Sequence, residues 1–293
     1  GWGVAGVAWA TVIASAIEMT LLVLAYRRDL WVLPRVRWSA VAAIWRVGLP
    51  TGGQFLLEIG AFTLLTVLIS AMSEIEMAAH QLVLHLLHIS FLPCHAIAES
   101  GSVLAGQAVG ADRDDLVPGV ARRVMILATS YMALCTAIAL FGASGIIGLF
   151  TDDRELAAVA VTIMHIGTIF LLADGANMVA RGILRGTGDV RYPAVVGIAC
   201  AWLCTPPLTW LLGYQAGLGA AGGWIGLSLE IFASAGILWW RLTRGHWRRA
   251  AQRSRAQVLE RIADPQPAQD DQRDRSETDP GAAALACSSG SSA

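Results

Sequence analysis

The sequence predicts an all-α integral membrane protein, and three observations carry the prediction. First, 55% of the 293 residues are hydrophobic and only 15% are charged, with a mean hydropathy of +0.57. Such values are too apolar for an ordinary soluble domain. Second, long apolar segments recur along the chain, and third, the basic residues fall in alternate connections between those segments.

Seven apolar segments are predicted to be transmembrane helices. Each has at least the roughly 20 residues that a helix needs to cross a roughly 30 Å hydrocarbon core. Gly, Ala and Ser are frequent in them, which suits close helix packing in lipid. The segments lie at residues 1–26, 47–72, 78–108, 120–150, 156–180, 192–212 and 217–240.

Arginine sets the predicted orientation of these helices. All 21 basic residues are Arg, and they cluster within 27–46, 113–123 and 181–191 and from residue 241 onward. By the positive-inside rule those connections and the C-terminus are cytoplasmic. The intervening loops at 73–77, 151–155 and 213–217 carry one Arg between them, so they are predicted to face outside.

An internal repeat indicates how the helices are grouped. The stretch GWGVAGVAW...AYRRDLW at 1–31 resembles GLGAAGGWI...RLTRGHW at 217–247, although chance similarity of two Gly/Ala-rich helices is the alternative. A six-helix unit repeated in the same topology gives two lobes, an arrangement that secondary transporters use. On this interpretation one lobe is whole and only the last helix of the preceding lobe is present.

The predicted domains follow from that grouping. Residues after 247 form a polar, low-complexity segment without apolar periodicity, which predicts disorder. Its basic first part is expected near anionic lipid headgroups. The divisions are 1–26, the last helix of a truncated N-terminal lobe; 27–46, a cytoplasmic inter-lobe linker; 47–243, a six-helix C-terminal lobe; and 244–293, a disordered cytoplasmic tail.

A series of short motifs carries a family resemblance. No one of them is decisive, but their order and spacing together are specific. They are GWGVAGVAWAT at the start, RVGLPTGGQFLLE at 46–58, AAHQ at 78–81, LAGQAVGA at 104–111, LFTDD at 149–153 and RGILRGTGDVRYP at 181–193. Over about residues 1–245 the chain resembles the C-terminal half of a multidrug and toxic compound extrusion (MATE) transporter of the NorM-like branch. The segments would be family helices six through twelve.

The resemblance implies that Glu58 and Asp174 form a cation-coupling pair, because NorM-like members use a Glu and an Asp at the matching positions. The residues themselves point the same way. A charged carboxylate midway through a bilayer costs about 2.5–3.5 kcal/mol, so it usually faces a cavity and a partner. Glu58 lies 12 residues beyond Arg46 and Asp174 lies 7 before Arg181. At about 1.5 Å per residue both sit roughly 10–18 Å from the inner surface. Two such carboxylates either share a proton or bind a cation.

A polar stripe in the third segment is a second candidate region. His85, His88, His95, Glu99 and Ser102 are spaced 3, 7, 4 and 3 residues apart, which places them on one helical face. Three interpretations stay open: lining of a substrate cavity with partial proton sensing, helix-packing hydrogen bonds, or a transition-metal site, for which the spacing is weak evidence. Gln81 either contacts substrate or bonds to a neighbouring helix. Our prediction is a substrate cavity without a metal.

Four further carboxylates complete the candidates. Asp152 and Asp153, at the predicted outer mouth, either attract cationic drugs or cap a helix in a solvated loop. Glu18 and Glu230 lie in the two repeat-end helices but not at matching repeat positions. That mismatch favours local pairing over a shared mechanism.

The predicted function is a cation-coupled (Na+ or H+) antiporter that exports cationic amphiphilic drugs from the bacterial inner membrane, present here as a partial chain. We expect no enzymatic activity, no cofactor besides the coupling ion, and no nucleic-acid partner. The expected partners are small cationic substrates, the lipid bilayer and the missing N-terminal lobe. One alternative is a lipid-linked sugar flippase of the same superfamily, whose cavity should be lined with Arg, whereas here Arg is expected in loops. The other is a non-transporting fragment.

Overall fold

The computed structural model describes the backbone of residues 3–30 and 38–263. Within those ranges the chain is helical and contains no strand, as the sequence predicts. The helices are α1 (Gly3–Leu30), α2 (Trp38–Ser70), α3 (Glu74–Gly110), α4 (Val117–Gly148), α5 (Arg154–Gly186), α6 (Arg191–Leu208), α7 (Gly219–Thr243) and α8 (Arg248–Ala263).

The chain divides into two compact units at Pro50. The first contains α1, whose apolar stretch is Ala8–Leu24, and the first part of α2. The second runs from Thr51 onward. It contains six helices that are long and apolar enough to cross a membrane, between Gly52 and Thr243. These six helices lie within the predicted lobe of 47–243, and the predicted fold class is confirmed.

The helices extend further than the apolar segments that predicted them. Where the sequence predicts a linker over 27–46, α1 continues to Leu30 and α2 begins at Trp38, and residues 31–37 lie outside the described residues. At the other end of the lobe, α5 passes through Arg181 and Arg185 to Gly186. A charged residue therefore ends an apolar run in the sequence without ending the helix.

Helix α5 lies at the centre of the second unit and packs against α3, α4 and α7. Small residues allow its close approach to α3. A Cβ atom on Gly182 would come within 2.6 Å of the backbone oxygen of Ala98, so the two helices can meet here only because this residue has no side chain. Close packing of small residues of this kind is typical of helices in lipid.

Helix α6 holds α2 in place through side chains. It contains Pro206 and Pro207 and continues as a π-helical segment, Thr209–Gln215. Trp202 of α6 donates a hydrogen bond to the backbone oxygen of Leu57 at 3.1 Å, and Tyr214 donates to that of Leu68 at 2.6 Å. These bonds fix the middle of α2, including Glu58, beside α6.

The predicted disordered tail is partly wrong, because residues 248–263 form helix α8. Trp247 and Ala251 are buried at its start. Arg255 forms ion pairs with Asp112 and Asp114 in the connection between α3 and α4. These long-range ion pairs stabilise a helix that the polar composition alone would not predict. The remainder of the predicted tail, 264–293, lies outside the described residues.

Candidate functional site

A cavity of about 360 Å³ lies among α2, α3, α5, α6 and α7. Apolar side chains such as Phe55, Phe62 and Phe91 form part of its wall. The wall also carries titratable residues: Glu58, His95, Glu99, Asp174, Glu230, Arg181 and Arg185. Both members of the predicted coupling pair therefore face the same space, within helices that are long and apolar enough to span a membrane.

Glu58 is held by an arginine that the sequence placed in a cytoplasmic loop. Nη1 of Arg181 lies 2.8 Å from Oε1 and 3.0 Å from Oε2 of Glu58. Gln54, one turn earlier on α2, donates to Oε1 at 3.1 Å. The two ion-paired side chains are 22–23% exposed, so the pair is accessible from the cavity rather than sealed in the core.

The guanidinium of Arg181 is positioned by Asn177 on its own helix and lies beside α6 and α7. Its Nε donates to Asn177 Oδ1 at 3.3 Å, and the same oxygen accepts from Ser234 of α7 at 3.0 Å. On the other side lies Gly197 of α6, where an added Cβ atom would come within 2.7 Å of Arg181 Nη2 and would overlap Glu58 Oε1. The absence of a side chain at Gly197 therefore makes room for the ion pair.

Asp174 differs from Glu58 in having no bound partner. Among the described residues no side chain forms a hydrogen bond or an ion pair with it, although it lines the cavity. Arg181 and Glu230 are close enough to act on it electrostatically. Glu230 accepts a hydrogen bond from Thr205 of α6 and lies within electrostatic range of Arg181 and Glu58. Glu230 thus pairs locally with Thr205, as expected, and also lines the same cavity as Glu58 and Asp174.

The stripe on α3 divides between the cavity and other surroundings. His95 and Glu99 line the cavity. Arg185 forms an ion pair with Glu99, and His95 Nε2 lies 3.9 Å from Glu99 Oε1. Gln81, His85 and His88 do not line it. His85 instead donates to the backbone oxygen of Gln81 at 2.7 Å. The described residues contain no group of three His, Cys, Asp or Glu side chains that could hold a metal ion.

The two acidic residues at the predicted outer mouth have different environments. Asp153 caps α5, since its Oδ1 accepts from the backbone N–H groups of Glu155 and Leu156 at 2.9 and 3.3 Å. This is the helix-cap alternative that the sequence left open. Asp152 is exposed, and its effect on substrates stays a prediction.

Sequence reasoning missed Arg181 and Arg185 as site residues, although a signal existed. Asp174, Asn177, Arg181 and Arg185 are spaced 3, 4 and 4 residues apart, which places them on one face of α5. Because the predicted membrane segment ended before Arg181, the two arginines were assigned to a loop and this shared face was not recognised.

His80 was also assigned no role from the sequence, and it does not line the cavity. It is fully buried and accepts a hydrogen bond from Trp224 at 3.1 Å through Nδ1. Its other ring nitrogen lies 3.4 Å from the hydroxyl of Thr66, which suits the tautomer protonated at Nε2. A single His in an apolar helix gives no signal by which such a bond could be predicted.

The cavity holds more carboxyl groups than arginines. Four carboxylates face two arginines, and each arginine is already paired with one of the glutamates. Asp174 and Glu230 therefore remain without a basic ion-pair partner among the described residues. Because a buried carboxylate is costly unless it is neutralised, the arrangement favours the entry of a proton or a monovalent cation.

The MatE family model matches residues 50–211. The chain is 33% identical over 208 residues to the probable multidrug resistance protein NorM of Pseudomonas syringae pv. tomato, covering 69% of this chain and 45% of that protein. It is 37% identical over 207 residues to the probable multidrug resistance protein NorM of Pseudomonas aeruginosa, covering 67% and 41%. Thus it spans less than half the length of these relatives. The structure of the MATE transporter ClbM in complex with Rb+ matches with a TM-score of 0.70 at 20% identity, covering 85% of this chain and 57% of that one. The chain belongs to the MATE family of multi-pass membrane transporters.

Proposed function

We propose that the complete protein is an antiporter that couples the entry of Na+ or H+ to the export of cationic amphiphilic compounds. Glu58 and Asp174 would receive the coupling ion. Glu230 would support them as a third carboxylate of the same cavity. On this proposal the chain lies in the bacterial inner membrane with its C-terminus in the cytoplasm, and a second lobe completes the path for substrate.

The observation that carries the proposal is the unpaired carboxylate of Asp174 in a partly apolar cavity. At a site within a membrane span, that charge is unfavourable unless a proton or cation accompanies it. The apolar walls formed by Phe55, Phe62 and Phe91 suit the body of an amphiphile, and the carboxylates suit its charge. An entering ion and a cationic substrate would then compete for the same negative groups.

The similar proteins support this function at a coarser level. Two relatives carry the name probable multidrug resistance protein, which supports export of more than one compound. The similar ClbM structure holds Rb+, which supports binding of a monovalent cation within this fold.

The arginines of the cavity bear on the alternative of a lipid-linked sugar flippase. A flippase cavity should be lined with Arg, and Arg181 and Arg185 do line this cavity. Each is bound to a glutamate, so neither presents an uncompensated positive charge to an anionic lipid. The excess of carboxyl groups over arginines in the cavity favours the cation exporter.

Gradient-driven transport in proteoliposomes tests the proposal. The complete protein should export ethidium against an imposed Na+ or H+ gradient. Asp174→Asn should reduce this transport at least about tenfold, because the amide keeps the shape of the carboxylate and removes its charge. The matched control is Asp152→Asn, an exposed carboxylate outside the cavity, which should lower transport less than about twofold. Undiminished transport by folded Asp174→Asn would contradict the proposal.

A further inference from the structure

We infer that Arg181 is a tethered internal cation that occupies Glu58 while no coupling ion or substrate is bound, and that either ligand must displace it. The inference rests on the proposed function and adds a competitor built into the same site. It would make Arg181 a positioning residue that sets how strongly the cavity binds cations.

The geometry of the pair supports competition. A single nitrogen, Nη1, contacts both oxygens of Glu58, and those are the atoms that a monovalent cation or a proton would need. Gln54 also occupies Oε1. A ligand therefore cannot bind Glu58 at full strength unless the guanidinium moves away.

The cavity gives the guanidinium another place to go. Asp174 and Glu230 face the same space and form no ion pair among the described residues, and Arg181 acts on both electrostatically. The long arginine side chain is partly exposed to the cavity, so it can change partner without the helix moving. A cation that binds Glu58 would thus displace the Arg181 side chain toward Asp174 and Glu230. Occupancy of Glu58 would then affect the charge at the other two carboxylates.

The structure also contains a matched control for this idea. Arg185, one turn further along α5, pairs with Glu99 at the same cavity. If positive charge in the cavity has a general effect, removing either arginine should raise the affinity for cations. If Arg181 competes for Glu58, removing Arg181 should raise that affinity much more than removing Arg185.

Equilibrium binding of tetraphenylphosphonium to the purified complete protein, at fixed ionic strength in choline buffer, tests the inference. Arg181→Gln should bind this permanent cation at least about tenfold more tightly than the parent, because the competitor is gone. Arg185→Gln should change the affinity less than about threefold. The double variant Glu58→Gln/Arg181→Gln should lose the gain, since the gain depends on the freed carboxylate.

A second readout does not depend on transport or on an organic ligand. Added Na+ should raise the melting temperature of Arg181→Gln more than that of the parent or of Arg185→Gln, because ligand binding stabilises the state that binds it. If Arg181→Gln does not fold, Arg181→Lys replaces it. That variant lacks the Nε that bonds to Asn177 and positions the charged group, so it should hold Glu58 less firmly and gain about threefold in affinity.

Three results are decisive. Unchanged or weaker binding by folded Arg181→Gln, or by Arg181→Lys where only that variant folds, would show that the arginine merely supports the structure and would overturn the inference. An equal gain in Arg185→Gln would replace competition with a general charge effect and would also overturn it. The single variant Glu58→Gln separates failure of the proposed function from failure of this inference. If it binds the cation as well as the parent does, the proposed function itself fails; weakened binding is consistent with that function.

Discussion

At the scale of single residues, Gly197 provides a test of the site geometry. Gly197→Ala should lower coupled transport because the new Cβ atom would displace Glu58 and Arg181 from each other. Both clashing groups are ends of flexible side chains, so the protein should still fold, with a loss of at most about 1–3 kcal/mol. Transport and melting temperature are the measurements. Gly236→Ala, where no atom lies within 4 Å, is the control, and equal transport by both variants would contradict the geometry.

A second residue-scale prediction concerns the buried bond between Trp224 and His80. Trp224→Phe removes the only indole donor to His80 Nδ1 among the described residues and leaves a buried acceptor unsatisfied. The hydrogen bond contributes about 1 kcal/mol, and the void that the smaller ring leaves at this fully buried position adds to the loss, so we expect a lower melting temperature. Trp210→Phe is the control because this tryptophan is 53% exposed. An equal effect in both variants would contradict a stabilising role for the buried Trp224 and its bond.

At the scale of elements, α8 should depend on one side chain. Arg255 bonds to Asp112, Asp114 and the backbone oxygen of Val109, whereas the nearby Arg253 is exposed. Arg255→Ala should therefore speed amide hydrogen exchange in 248–256, and Arg253→Ala should not. Slow exchange retained in Arg255→Ala would show that the buried Trp247 and Ala251 hold the helix without the ion pairs.

The elements also show why prediction succeeded in the membrane and failed at its edges. A bilayer forces backbone groups to be satisfied within each apolar run, so six helices could be predicted from apolar segments alone. Helix α8 could not be predicted, because Arg255 bonds to residues about 140 positions away. Likewise Arg181 looked like the start of a loop, since nothing in the sequence shows that Glu58, 123 positions earlier, neutralises it. That Glu58 and Asp174 face a cavity was predictable because carboxylates within apolar runs are rare and costly.

At the scale of the whole molecule, the distribution of arginine predicts the orientation in the membrane. A cysteine at Asp152 should react with a membrane-impermeant thiol reagent added outside cells, and a cysteine at Arg113 should not. Both positions are exposed, so access depends on the side of the membrane alone. The parent protein, with Cys94, Cys135, Cys200 and Cys204 inside helices and Cys287 near the C-terminus, gives the background. Labelling at Arg113 only would invert the topology.

The most direct test of the central claim is a double-mutant cycle on Glu58 and Asp174. The measurement is transport of ethidium by proteoliposomes under an imposed Na+ or H+ gradient, for Glu58→Gln, Asp174→Asn and the double variant, with folded yield checked for each. If the two carboxylates act as one coupling site, each single change should abolish most of the transport and the double change should add little, because residues that act as a unit are not additive. Effects on log rate that simply sum, or transport by Asp174→Asn at the parent rate, would contradict the claim.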